Sequence, residues 1–242
     1  MAEARSLRNC FHEDDPSHSL IRRAAAEAIG TFLLMLVAGA SGLQAQHLFP
    51  AEPGLGLLIS AVTIAGALVG LIVAFGAVSG GHFNPLITGL QWLGRERPSV
   101  CTIVYILAQA IGAVAGALVA RLMFGAPAEP GHALFTWAMA LSELLASAGL
   151  MAVVFGCIRS KRAETGPFAV GAWLTAAILA TPSASYANPA VTLGAAFAAG
   201  PIALDRPTTL LFIAVEILGA LIAFAIIRFI FPPDAMTAGR NS

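Results

Sequence analysis

Long apolar runs cut by short polar stretches organise this chain. Six are long enough to cross a bilayer: 22–43, 54–76, 100–123, 135–157, 166–182 and 208–231. A spanning helix needs about 20 apolar residues for a ~30 Å hydrocarbon core, and about 17 suffice at the short end, so the fifth run qualifies. Two weaker stretches, 85–93 and 189–197, would each run only roughly 13–15 Å as helices. Both open on the same pair, within Ser79-Gly80-Gly81-His82-Phe83-Asn84-Pro85-Leu86-Ile87-Thr88 and Ser185-Tyr186-Ala187-Asn188-Pro189-Ala190-Val191-Thr192. Asn is a strong N-cap and Pro the preferred first helical residue. Half-helices are therefore predicted to start at Pro85-Leu86 and at Pro189-Ala190.

Composition agrees with a lipid solvent. The 242 residues are 58% hydrophobic and 11% charged, with a mean hydropathy of +0.83, unlike a soluble domain. Net charge is zero and no basic run suggests nucleic acid. Cys10, Cys101 and Cys157 are scattered, and the five His form no ligand spacing, so no metal, cofactor or enzymatic centre is expected. The first 20 residues are polar and hold Glu13-Asp14-Asp15, unlike a cleaved signal peptide.

Basic residues set the expected orientation. Eleven (Arg5, Arg8, Arg22, Arg23, Arg95, Arg97, Arg159, Lys161, Arg162, Arg228 and Arg240) fall on one side of the spans, and two, Arg121 and Arg206, on the other. Both termini are therefore expected in the cytoplasm. The two Asn-Pro loops then enter from opposite sides, which makes the halves inverted copies. Ala26-Glu27 in span one answers Ser142-Glu143 in span four, and Gln109-Ala110-Ile111-Gly112-Ala113 answers Glu216-Ile217-Leu218-Gly219-Ala220. The expected fold is an all-α membrane protein of six transmembrane helices plus two re-entrant half-helices, in an inverted 3+3 repeat. Repeat one covers about 22–123 and repeat two about 135–231. Residues 1–21 are expected to be a flexible cytoplasmic N-terminal tail and 232–242 a cytoplasmic C-terminal tail.

The paired Asn-Pro boxes, each with Thr at the same offset, together with Glu27, Glu143 and Gln109, resemble the major intrinsic protein (aquaporin and aquaglyceroporin) family over 22–231. The resemblance implies one pore per subunit, a homotetramer, and passive passage of water and small neutral solutes. Two departures stand out. Leu86 occupies the usual Ala position of the first box, and Val191 stands where most members carry the Arg of the outer constriction. The latter is similar to arsenic-associated bacterial members.

Several roles follow. Asn84 and Asn188 are expected to aim amide N–H donors into the pore midplane, where the half-helix N-termini each carry roughly half a positive charge. That field opposes protons and cations. Gly80, Gly81 and His82, and Ala184, Ser185 and Tyr186, are expected to expose a carbonyl ladder, since unpaired backbone at this depth requires a wet cavity. Glu27 and Glu143 are expected to brace the loops by accepting backbone N–H groups, because an unpaired carboxylate in lipid costs at least a few kcal/mol. Glu216, in the place of Gln109, suggests the same. His82 reads either as a pH-responsive wall residue or as a satisfied structural His. Carried over from the family by spacing, the filter comprises Ile64, Ala176, Ser185 and Val191. Thr175 is the alternative to Ala176, because Pro182 stands one residue off the family's usual Pro.

A wide, apolar, uncharged ring points to glycerol-like polyols, metalloid hydroxides such as arsenite and antimonite, methylated arsenicals and water. Two other readings are a pore principally for water, and a coupled secondary transporter with Glu27 and Glu143 as coupling sites. The Ala/Gly/Arg-rich composition with a single Lys suggests a bacterial inner membrane.

Overall fold

A computed structural model of the chain describes residues 18–127 and 136–231; most of the two expected tails, with Cys10, lies outside them. Eight α-helices occur among the described residues: α1 (Leu20–Leu48), α2 (Pro53–Ser79), α3 (Pro85–Leu93), α4 (Ser99–Met123), α5 (Trp137–Arg159), α6 (Gly166–Ala180), α7 (Pro189–Ala195) and α8 (Arg206–Ile230). Six are long and apolar enough to span a membrane, α6 when counted with the 3-10 turn Ala163–Thr165 that precedes it. The protein is an integral membrane protein with the fold expected from its sequence. Helix starts follow capping chemistry. Thr136 and Asp205 accept the Met139 and Thr208 N–H at 3.1 and 2.8 Å, and Pro stands in the first turn of α2, α3, α6, α7 and α8.

The half-helix α3 has the expected bounds, but α7 ends at Ala195 rather than 197. There the chain tightens, with the Ala196, Phe197 and Ala198 N–H groups each reaching back three residues, and Leu204 N–H closing on the Ala195 carbonyl. The next segment is thereby turned back under the half-helix.

The two repeats pack alike. In repeat one α1 lies between α2 and α4; in repeat two α5 lies between α6 and α8; α2 meets α6 across the halves. The half-helices α3 and α7 meet one another and are held by α4 and α8. Lipid-facing positions recur at helical spacing, as with Ile103, Leu107, Ile111, Leu118 and Leu122 on α4.

Glycines govern the closest backbone crossings, Gly112 and Gly116 of α4 against α1 and Gly219 of α8 against α5. A Cβ on Gly112 would strike the Ala28 carbonyl and the Phe32 nitrogen of α1; one on Gly219 would strike the Leu144 carbonyl and the Ala148 nitrogen of α5. Small residues let helix backbones approach in this way when lipid offers no hydrophobic drive between them. The positions are also functional in register. Gly112 lies three residues after Gln109 and faces the residue after Glu27; Gly219 lies three after Glu216 and faces the residue after Glu143. Each glycine thus brings a polar side chain of α4 or α8 within reach of a buried carboxylate.

Gly112→Val should force α4 off α1 at a cost of about 1–3 kcal/mol or more. Size-exclusion profiles in detergent should show lowered monodisperse yield, while Gly66→Ala on α2, with nothing near its added Cβ, should be tolerated.

Candidate functional site

The Asn-Pro boxes form the centre of the molecule. Asn84 caps α3 by accepting the Leu86 N–H at 2.9 Å, and Asn188 caps α7 by accepting the Ala190 and Val191 N–H groups at 3.0 and 3.4 Å. With the oxygen thus committed, the amide nitrogen is aimed. Asn84 Nδ2 donates to the Ala187 carbonyl at 2.9 Å, and Asn188 Nδ2 donates to the Phe83 carbonyl at 2.8 Å. Each box therefore grips the residue before the other's Asn. An amide nitrogen carries two hydrogens, so each Asn keeps one N–H for the cavity that both line. The reciprocal grip between halves is additional to the lumen-facing donors expected from sequence.

The arms before the boxes share one backbone conformation. Gly80, Gly81 and Phe83 have φ of 91°, 60° and 47°; Ala184, Ser185 and Ala187, each 104 positions later, have 58°, 51° and 46°. Left-handed backbone costs a non-glycine residue roughly 1–2 kcal/mol. It persists because carboxylates hold the N–H groups it exposes. Glu27, fully buried, accepts from His82 N–H (3.0 Å) and Ser79 Oγ–H (2.6 Å) on Oε1, and from Phe83 N–H (2.8 Å) and Gln109 Nε2–H (2.7 Å) on Oε2. Glu143 accepts Tyr186 N–H at 3.0 Å and Ala187 N–H at 2.9 Å. Four donors occupy the four acceptor sites of Glu27, the arrangement that keeps a buried carboxylate affordable.

A cavity of about 770 Å³ runs from the α1–α2 connection, at Gln46, Phe49 and Pro50, to His82 and the two Asn residues. One face of α2 follows it: Leu57, Ser60, Ile64, Leu68 and Ile72, about 22 Å of helix at 1.5 Å per residue. Opposite stand Val170, Leu174 and Ile178 of α6, and Val191 and Ser185 close the wall from the second box. No Arg, Lys, Asp or Glu lines it among the described residues.

Of the expected filter, Ile64, Ser185 and Val191 face the cavity, but Ala176 does not. It is exposed on the outside of α6, and Thr175 turns its hydroxyl onto the Gly171 carbonyl at 2.9 Å. The wall stripe on α6 advances by four, 170–174–178, which leaves 176 on the far side and puts Leu174 in the cavity wall. The ladder needs a similar correction. His82, Ala184, Ser185 and Tyr186 line the cavity, whereas Gly80 and Gly81 are buried behind it, Gly80 closing α2 and Gly81 packed on Ile72 and Gly76.

His82 sits in the wall with Nδ1 2.9 Å from Thr88 Oγ1, its ring edge-on to Tyr105. Sequence reasoning did not single out Leu174, Phe83 or Ala187. The two carbonyl acceptors carry no side-chain signal, and Leu174 is one apolar residue among many.

These features are those of a pore built from inverted halves, and the comparisons agree. The sequence model described as Major intrinsic protein matches residues 16–186. The chain belongs to the major intrinsic protein family. It is 38% identical over 223 residues to aquaglyceroporin AqpS of Rhizobium meliloti (strain 1021), covering 88% of this chain and 92% of that protein. It is 31% identical over 214 residues to aquaporin NIP6-1 of Arabidopsis thaliana, covering 86% and 68%. The solved aquaglyceroporin of Plasmodium falciparum shares the fold, with a TM-score of 0.72 at 16% identity over 88% of this chain and 98% of that one. The family consists of passive channels, not enzymes. That sets aside the coupled-transporter reading, whose expected coupling sites, Glu27 and Glu143, stand outside the cavity wall.

Glu27→Gln should replace an acceptor with an N–H that faces other donors, costing about 1–3 kcal/mol. A lower thermal midpoint in detergent, followed by Trp fluorescence, is the expected result; an unchanged midpoint would remove the bracing role.

Proposed function

We propose that the pore conducts small uncharged solutes (glycerol-like polyols, arsenite and antimonite as neutral hydroxides, and methylated arsenicals) together with water. The observation that carries this reading is the chemistry of the cavity wall. Ile64, Leu174 and Val191 present apolar surface, Ser185 presents a hydroxyl, and the whole wall is free of charge among the described residues. Similarity to a relative named aquaglyceroporin supports the same solute class.

The selectivity has a physical basis. A polyol leaving water forfeits hydrogen bonds worth about 1–3 kcal/mol each if nothing replaces them. Asn84 and Asn188 offer amide donors, and the arm around Ala184–Tyr186 offers backbone carbonyl acceptors as a polar rail beside the apolar side. An ion would pay several kcal/mol in desolvation with no counter-charge to repay it, and the half-helix N-termini add a repulsive field for cations. With Val191 in place of a filter Arg, proton exclusion rests on that midplane field.

Water as the principal solute is the second reading. It is favoured by the same apolar trio, since a ring poor in hydrogen-bonding groups resists polar solutes larger than water. Both readings place the protein in a bacterial inner membrane as a homotetramer with its termini in the cytoplasm, the last on the eleven-to-two division of basic residues.

Light scattering from proteoliposomes separates them. Wild-type vesicles should take up glycerol and arsenite faster than empty vesicles, and Val191→Arg should cut both more than it cuts water flow. Glycerol and arsenite at background beside high water flow would select the second reading.

A further inference from the structure

Repeat two differs from repeat one at one pair of side chains. In repeat one the α4 partner of the bracing carboxylate is an amide: Gln109 Nε2 donates to Glu27 at 2.7 Å and to Thr88 Oγ1 at 3.0 Å. In repeat two the corresponding residue on α8 is Glu216, itself fully buried and brought beside Glu143 by the Gly219 crossing, where the two carboxylates are electrostatic neighbours. Two carboxylates cannot bond to one another without a proton between them.

The donors around the pair do not supply it. Glu143 takes the Tyr186 and Ala187 N–H groups, while Glu216 takes the Thr192 hydroxyl at 2.5 Å on Oε1. Glu216 Oε2 is left buried with no N–H or O–H partner. A buried, unpartnered anionic oxygen beside a second carboxylate is costly on two counts, desolvation and like charge. One proton removes both costs.

We infer that Glu143 and Glu216 share a single proton, so that Glu216 serves repeat two as an O–H donor where Gln109 serves repeat one as an N–H donor. The pair carries one negative charge, as Glu27 does alone. Glu216 thereby becomes a positioning residue for the second box. It holds Thr192 at the first turn of α7, the turn that presents Asn188 and Val191 to the cavity. This rests on the geometry of the second box and not on which solute passes.

The electrostatic surroundings leave the proton no nearby substitute. Tyr186 is the titratable neighbour on the arm, and its hydroxyl is occupied by the Ile202 carbonyl at 2.9 Å. α3, α6 and α7 contain no ionisable residue. On α8 the cations Arg206 and Arg228 lie ten and twelve residues from Glu216, about 15–18 Å along the axis. Arg159 of α5 is farther still from Glu143.

Infrared spectra of the reconstituted full chain test this. The wild-type minus Glu216→Gln difference spectrum should show the C=O stretch of a protonated carboxylic acid, shifted in D2O. Glu216→Gln restores the repeat-one chemistry and should keep the wild-type thermal midpoint at neutral pH. Glu216→Leu strands the Thr192 hydroxyl and leaves Glu143 without a donor from α8, and should lower the folded fraction roughly tenfold. The native pair holds a proton that the unfolded chain releases near neutral pH, so wild-type stability should fall as pH rises, by up to about tenfold in the folding equilibrium per pH unit relative to Glu216→Gln. Absence of the acid band, parallel pH curves for wild type and Glu216→Gln, or Glu216→Gln as damaged as Glu216→Leu would each overturn the shared proton.

Discussion

The two amide nitrogens of Asn84 and Asn188 bind the halves of this channel into one pore. Each donates to a carbonyl in the opposite arm, Ala187 or Phe83, and each arm is strained backbone that could not hold this shape alone. If the grip is lost, neither Asn is aimed, α3 and α7 no longer oppose each other, and the arms have no reason to expose polar backbone to the lumen. The grip in turn depends on buried carboxylates on α1 and α5 that pin the adjoining N–H groups. A bilayer offers no water to replace any of these bonds, so the polar centre must be satisfied as a unit.

Small residues make that unit reachable. Gly112 and Gly219 let α4 and α8 press against α1 and α5, which brings Gln109 to Glu27 and Glu216 to Glu143. The symmetry is one of geometry more than of chemistry. Glycine occupies two of the three left-handed positions in the first arm, whereas Ala184, Ser185 and Ala187 take them in the second, also with positive φ. The bonding pattern, not the glycines, sets the conformation, which leaves the second arm free to carry the Ser185 hydroxyl into the wall.

Much of this was legible in the sequence. The spans, the two half-helix starts and the inverted relation of the halves follow from apolar run length and from Asn-Pro pairs. The functional faces were harder to read, for a physical reason. A helix such as α6 meets lipid on one side and an apolar pore on the other, so no polarity contrast marks which residues face inward. Spacing from the boxes therefore gave Ala176 where the helix presents Leu174. The end of α7 was overrun for a like reason, because Ala196–Ala198 continue the apolar pattern while their N–H groups already tighten into a turn. The grip itself runs to backbone carbonyls, which leave no trace in residue identity. Glu216 was visible as an oddity, but its contact with Glu143 emerged only with the helix crossing.

Under the proposed function a neutral solute passes down its own gradient through a pore whose midplane refuses charge. Tracer uptake of arsenite into proteoliposomes, with a pH-sensitive dye enclosed, tests it most directly. Uptake should rise linearly with arsenite concentration, ignore imposed proton or sodium gradients, and bring no proton flux above that of empty vesicles. Saturable uptake driven by an ion gradient, or a proton flux that accompanies the solute, would contradict it.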